Sequence, residues 1–275
     1  MQSMTHRMLR SPIARVLAVL GVLAVFVALG WRWWDRTSTP EVSAPPAGMD
    51  IVAAHAAACG GTEAAAAIES LTIMSRVEIG GQGITVDAEY HWRNDDRFLQ
   101  RQRIEGVGEL LSGFDGVEVW SQDPIYGDRV LEGPERAQAL WLASPISWAR
   151  YPDYVEKATT VGRRTVEGRS VMEVELVIKG GVTATARFDE EHGRLAELSM
   201  EVFSPSGAQP VTMVFSEYRP VAGYEMPHRQ LVRASTGEMR EAYLEVRVNP
   251  PLGDDVFARR RTASETPGAA SAPSP

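Results

Sequence analysis

The sequence predicts a mostly β, α+β domain: one antiparallel sheet or open barrel, with two helices ahead of it and a helical insert within it. Three observations carry this. Strand-like runs recur about every ten residues and most are joined by turn-forming residues. Their alternation is clean: Ile84, Val86, Ala88, Tyr90 and Trp92 share one parity, opposite Thr85, Asp87, Glu89 and His91, as in an antiparallel sheet with one wet face. The stretch 106–133, GVGELLSGFDGVEVWSQDPIYGDRVLEG, reads as two strands and a return around Asp115-Gly116. Asp-Gly is a strong hairpin signal, because Gly accepts positive φ and Asp tolerates it. Pro124 then ends the second strand, since Pro has no N–H for the ladder.

With 275 residues, the chain has room for one large or two small domains. Its apolar fraction of 44% and charged fraction of 23% are those of a globular protein. The net charge of −8 does not mark a nucleic-acid partner. A single Cys makes no internal disulfide and no multi-Cys metal site. His6, His55, His91, His192 and His228 have no ligand-like spacing. No metal and no cofactor are expected.

Residues 1–15 carry His6, Arg7, Arg10 and Arg15 and no acid; from Val16 to Trp31 every residue is apolar or Gly. That run makes roughly 24 Å of helix, and Trp33 and Trp34 extend it to the lower edge of a span of about 17–25 residues. Trp31, Trp33 and Trp34 suit an interfacial belt, with Arg32 and Arg36 able to snorkel. The positive-inside rule puts 1–15 in the cytoplasm and the rest across the inner membrane, with the membrane as partner of residues 16–34. The competing reading is a signal peptide cleaved after small residues near Ala28-Leu29-Gly30, which leaves a soluble periplasmic protein. The expected organisation is a cytoplasmic stub and transmembrane anchor at 1–36, a Pro/Ser/Ala linker at 37–48, a folded domain at 49–259 and a disordered tail at 260–275.

Met49 to Cys59 fits a short helix, ended by Gly60-Gly61, and Thr62 is placed to N-cap a second, TEAAAAIES. Cys59 reads as a small buried apolar group. Strands follow at 71–79, 84–92 and 97–105, then the pair in 106–133. Pro134 opens a helix over Glu135–Leu142, within the aromatic stretch Trp141, Trp148, Tyr151 and Tyr154. Strands resume at 165–166, 171–178, 182–188, 195–203, 211–217, 228–234 and 239–248, about ten in all.

Motifs for phosphate cradling, zinc hydrolysis or a serine nucleophile are absent. Asp189-Glu190-Glu191-His192 reads as a solvated turn tip. Arg97, Arg101 and Arg103 share one strand face, which is read as a wet face carrying acids, with an anionic partner as the alternative.

Four segments carry a resemblance: AHAAACGGTEAAAAIESL (54–71), GGQGITVDAEYHW (80–92), GVGELLSGFDGVEVWSQDP (106–124) and GDRVLEGPERAQ (127–138). Together they resemble the outer-membrane lipoprotein-sorting-like proteins of the LolA/LolB superfamily, in order over about 50–259. The resemblance implies a curved antiparallel sheet or half-open barrel with helices on its concave face; the transmembrane helix expected ahead of it departs from the family, whose carriers are soluble and cleaved. It implies a non-enzymatic envelope protein whose apolar cavity accepts a lipid or the acyl chain of a lipoprotein. The expected lining is Tyr90, Trp120, Trp141, Leu142 and Trp148, with Met200, Met213 and Phe215 as flexible filling. The alternative is a signalling or scaffold module that presents its sheet to another envelope protein.

Overall fold

A computed structural model describes residues 46–80 and 83–260. The expected anchor, nearly all of the linker and the tail beyond residue 260 lie outside them. Among the described residues no helix is long and apolar enough to cross a membrane.

Two helices come first, α1 (Gly48–Ala58) and α2 (Gly61–Ala66). Gly60 between them has φ +106°, and a Cβ there would lie 2.6 Å from the Gly223 carbonyl oxygen. Only Gly fits both the conformation and the approach. Thr62 is not the cap: Gly60 holds the N-cap position without a side-chain bond. Nor does α2 run to Ser70. The Asn249 side chain accepts from the Glu69 and Ser70 backbone N–H groups at 2.8 and 3.2 Å, which commits this segment to the sheet.

The strands are β1 (Ser70–Ile79), β2 (Ile84–Arg93), β3 (Phe98–Ile104), β4 (Gly108–Phe114), β5 (Val119–Asp123) and β6 (Gly127–Val130). Helices α3 (Gly133–Ala143) and α4 (Tyr151–Tyr154) form the insert. Then come β7 (Val155–Val166), β8 (Arg169–Ile178), β9 (Val182–Asp189), β10 (Leu195–Ser204), β11 (Gly207–Val221), β12 (Tyr224–Ala234) and β13 (Gly237–Val248), with a last turn of helix, α5 (Asp254–Phe257). All thirteen strands form one open sheet in the order β6-β5-β4-β3-β2-β1-β13-β12-β11-β10-β9-β8-β7. Neighbours pair antiparallel throughout, and β1 with β13 joins the two runs. The sequence reading falls short by β6 and most of β7. Four-residue β6 is too short to show alternation, and edge strand β7 is exposed over most of its length.

Helix α3 contacts β5 and also β9 and β10. These strands hold the second, eleventh and tenth places in the row. A flat sheet with strands about 4.8 Å apart would set the second and tenth roughly 40 Å apart. The sheet therefore bends around α3, and its inner face is the one α3 packs on. Gln138 fastens the contact: its Nε2 donates to the Glu201 carbonyl at 2.8 Å and its Oε1 accepts from the Phe203 N–H at 3.2 Å.

The hairpin at Asp115-Gly116 joins β4 to β5, and Gly116 has φ +100°. Asp115 acts as an acceptor, its Oδ1 taking the Val117 and Glu118 N–H groups, both at 2.8 Å. A Cβ on Gly116 would meet the Arg97 guanidinium at 2.8 Å. Gly116→Val is expected to cost about 1–3 kcal/mol in urea denaturation, because a β-branched residue resists positive φ. An unchanged midpoint would contradict this account of the turn.

Candidate functional site

Alternation sorts the side chains to two faces. On β1 and β2 the inner face takes Leu71, Ile73 and Val77 opposite Trp92, Tyr90 and Val86. On β10 and β11 it takes Leu198 and Met200 opposite Met213 and Val211. Five of the expected lining residues meet here. Trp141, Trp148, Met200, Met213 and Phe215 share one apolar cluster with β8 and β9. Trp141 is 1% exposed, and its ring meets half-buried Trp148 edge-on at 5.9 Å. Trp148 also packs edge-on against His55 at 5.2 Å and Phe188 at 5.7 Å.

The other three lie elsewhere. Tyr90 is on the inner face but packs with a second cluster around Trp92 and Leu71, and its hydroxyl donates to the Ala143 carbonyl at the end of α3. Trp120 points outward. Its neighbour Val119 takes the inner face, and Trp120 packs with Leu99, Leu111 and Phe257 beneath α5. Strand alternation decides this, since adjacent residues face opposite ways. Leu142 is 42% exposed on the solvent side of α3, next to Trp141, which takes the buried side.

A cavity of about 250 Å³ opens between β3, β4 and β5 on one side and the end of β10 on the other. The β10 wall is Val202, Phe203, Ser204 and Pro205. The facing wall is mixed: Gln100, Gln102, Ser112 and Ser121 stand among Leu110, Leu111, Ile125 and Tyr126. Arg129 and Glu135 close one end with paired bonds of 2.8 and 2.7 Å. Helix α3 begins at this ion pair, because Pro134 in its first turn needs no N–H partner.

Further along the inner face, Glu241 on β13 stands opposite Val77 and Gln230. Burial pushes its carboxyl above the ordinary carboxylate range, and Ser75, donating to it at 2.6 Å, offsets part of that. Burial likewise raises the Tyr90 and Tyr243 hydroxyls. The Cys59 thiol is pushed up to about 12 by burial, so it stays protonated.

The sequence reading missed the polar residues of this wall and Glu241. The signal was present: Gln100 and Gln102 share parity with Phe98 and Ile104, a face that ought to be apolar. The opposite parity carries the arginines, where Arg101 pairs with Glu89 at 3.0 Å and Arg103 with Glu109 at 2.6 Å. Arg97 reaches the Asp115 carbonyl at 2.7 Å. At the β9–β10 turn, Asp189, Glu191 and His192 offer ligand atoms within 4.8 Å of one another. Both Asp189 oxygens are already engaged, by the Glu191 N–H at 2.8 Å and the His192 ring at 3.1 Å.

A single open antiparallel sheet, bent around a helix and bordering a small open cavity, defines the class of fold. The solved structures place it more closely: this chain has the fold of the LolA superfamily. It is similar to a LolA superfamily protein from Nitrosomonas europaea, with TM-score 0.51, 11% identity, and 78% of this chain and 99% of that one covered. It is similar to a DUF1329 family protein from Desulfovibrio piger, with TM-score 0.50, 12% identity, and coverage of 77% and 95%. A domain named for outer membrane lipoprotein sorting, from Vibrio parahaemolyticus, matches with TM-score 0.48, 15% identity, and coverage of 76% and 95%. At these identities the likeness is one of fold. No protein-family model matches the sequence, and no curated protein does.

Proposed function

We propose that this protein is a non-enzymatic envelope protein that holds a lipid, or the acyl chain of a lipoprotein, against the inner, concave face of its sheet. In this reading residues 16–34 anchor it in the inner membrane and the sheet domain works in the periplasm. The observation that carries the reading is the cavity between β3–β5 and β10, whose lining mixes apolar side chains with hydrogen-bonding ones. Such a lining suits a molecule with a hydrocarbon chain and a polar head. Its volume of about 250 Å³ lies just below the roughly 300 Å³ at which small-molecule sites begin. Each buried methylene contributes about 0.8 kcal/mol, so eight would supply roughly 6 kcal/mol before the costs of association. The apolar cluster around Trp148, Met213 and Phe215 extends the chain-binding side. The fold resemblance to the LolA superfamily supports the same reading.

The test is chemical. The full chain is purified from the membrane fraction, extracted with organic solvent and analysed by mass spectrometry. A stoichiometric acyl-containing molecule is the expected result. A lipid-free extract together with a stoichiometric co-purifying protein would move the function to a scaffold that presents its sheet to a partner. Recovery of the chain in the soluble fraction, with an N-terminus near residue 31, would remove the anchor.

A further inference from the structure

We propose that Gln209 recognises the amide group of an N-acyl ligand at the β10 wall of the cavity. This rests on the lipid-binding reading above and adds the chemistry of the head group.

Gln209 lies near the start of β11, directly opposite Val202 on β10. It shares the inner face with Val211 and Met213 and is 0% exposed. Neither its Oε1 nor its Nε2 has a hydrogen-bond partner among the described residues. An amide sealed from water with donor and acceptor both unanswered is a costly element in a fold. The indole Nε1 of Trp92 on this face is also without a partner, but among the described residues Gln209 is the side-chain amide with its donor and acceptor both unanswered. Gln138 spends its amide on the Glu201 and Phe203 backbone, and Glu241 receives the Ser75 hydroxyl.

The position of Gln209 says what would answer it. Its cross-strand neighbour Val202, with Phe203, forms the cavity wall, and both are half-buried. Gln209 itself does not line the cavity; its side chain stands beside that of Val202 on the inner face, so a ligand that displaces Val202 reaches the amide. A primary amide needs one acceptor and one donor to satisfy both ends. A secondary amide, –CO–NH–, supplies both. An ester or a carboxylate supplies acceptors only, and a hydrocarbon supplies neither.

The opposite wall is an independent observation. Gln100, Gln102, Ser112 and Ser121 line the same cavity from inner-face positions. On β1 and β2 the corresponding face carries Leu71, Ile73, Val86 and Trp92. The polar group of the ligand therefore has hydrogen-bonding side chains on both sides, while its chain runs toward Met213 and Phe215.

The experiment compares two probes that differ in one atom group. N-methyldodecanamide and methyl dodecanoate each compete with a fluorescent fatty-acid probe on the full chain, for wild type and Gln209→Met. Wild type is expected to prefer the amide by about fivefold or more, the effect of one added hydrogen bond. In Gln209→Met the preference should fall to about one, and Tm should rise, because an unanswered amide gives way to an apolar side chain of similar length. Equal affinities in wild type would overturn the proposal while leaving lipid binding intact. A preserved preference in Gln209→Met, or a variant that melts lower or fails to fold, would overturn it too, since the amide would then serve the free protein. If wild type bound neither the fluorescent probe nor the competitors, the lipid-binding reading itself would fail.

Discussion

Trp141→Ala is expected to destabilise the domain by about 3–5 kcal/mol, the usual cost of removing a large aromatic side chain from a filled core. Trp141 lies on the sheet side of α3, almost without exposed surface, in a cluster with Val174, Leu176, Ala184 and Leu198. Its removal would leave a void under the helix that bridges β5 to β9 and β10, so the neighbours cannot collapse into it without shifting α3. Trp148 is the informative partner. It is half-buried, and its contacts are mainly edge-on rings. Trp148→Ala should cost clearly less stability and weaken binding of a fluorescent fatty-acid probe by the apolar area removed, at roughly 25 cal/mol per Å². Urea denaturation of both variants, with probe titration of whichever stays folded, checks this. A Trp141→Ala variant within 1 kcal/mol of wild type would mean the helix is loosely seated. A folded Trp148→Ala variant that binds the probe as wild type does would take Trp148 out of the site.

Acid is the second large effect, and it acts through His55. The ring is 1% exposed, and its Nδ1 donates to the Gly193 carbonyl at 3.0 Å. Around it are Phe188 at 5.1 Å, Trp148 and the Cys59 sulfur at 3.7 Å, none of which carries a negative charge. Burial lowers its pKa from 6.5 to about 4, and the Gly193 bond recovers only part of that. The folded state thus binds its proton later than the unfolded state. This contribution to stability is complete above pH 6.5 and falls away as pH drops toward 4. A shift from 6.5 to about 4 corresponds to a loss of about 3 kcal/mol once both states are protonated. His55→Asn places an amide N–H near the Nδ1 position and does not titrate. Its unfolding free energy should lose the one-proton slope between pH 4 and 6.5 that wild type shows. Parallel pH profiles for the two proteins would show that His55 is not the titrating group.

The reach of sequence reasoning can be judged from particular residues. Where the physics is local, the sequence is sufficient. Gly60 and Gly116 mark left-handed positions because no other residue adopts them so cheaply. The parity of Ile84 through Trp92 sets a strand face, and Pro134 opens a helix. These follow from chain geometry over two to four residues, and they were enough to predict an antiparallel, mostly β domain.

Other features depend on what the sheet does over its whole width. Alternation divides Val119 from Trp120 but does not label which side is inner. That was settled by α5 covering the Trp120 side and α3 the other. Leu142 and Trp141 are both apolar and adjacent, and only the seating of α3 decided which is buried. The cavity is a product of bending, which brings the end of β10 within reach of β3–β5 across a row of intervening strands. No spacing in the chain records that meeting. The sequence by itself determined the strands, their turns and the antiparallel class, because those rest on backbone conformation and a period of two. Only the tertiary structure decided which residues share the interior, because curvature and helix placement are sums over thirteen strands that no local window contains.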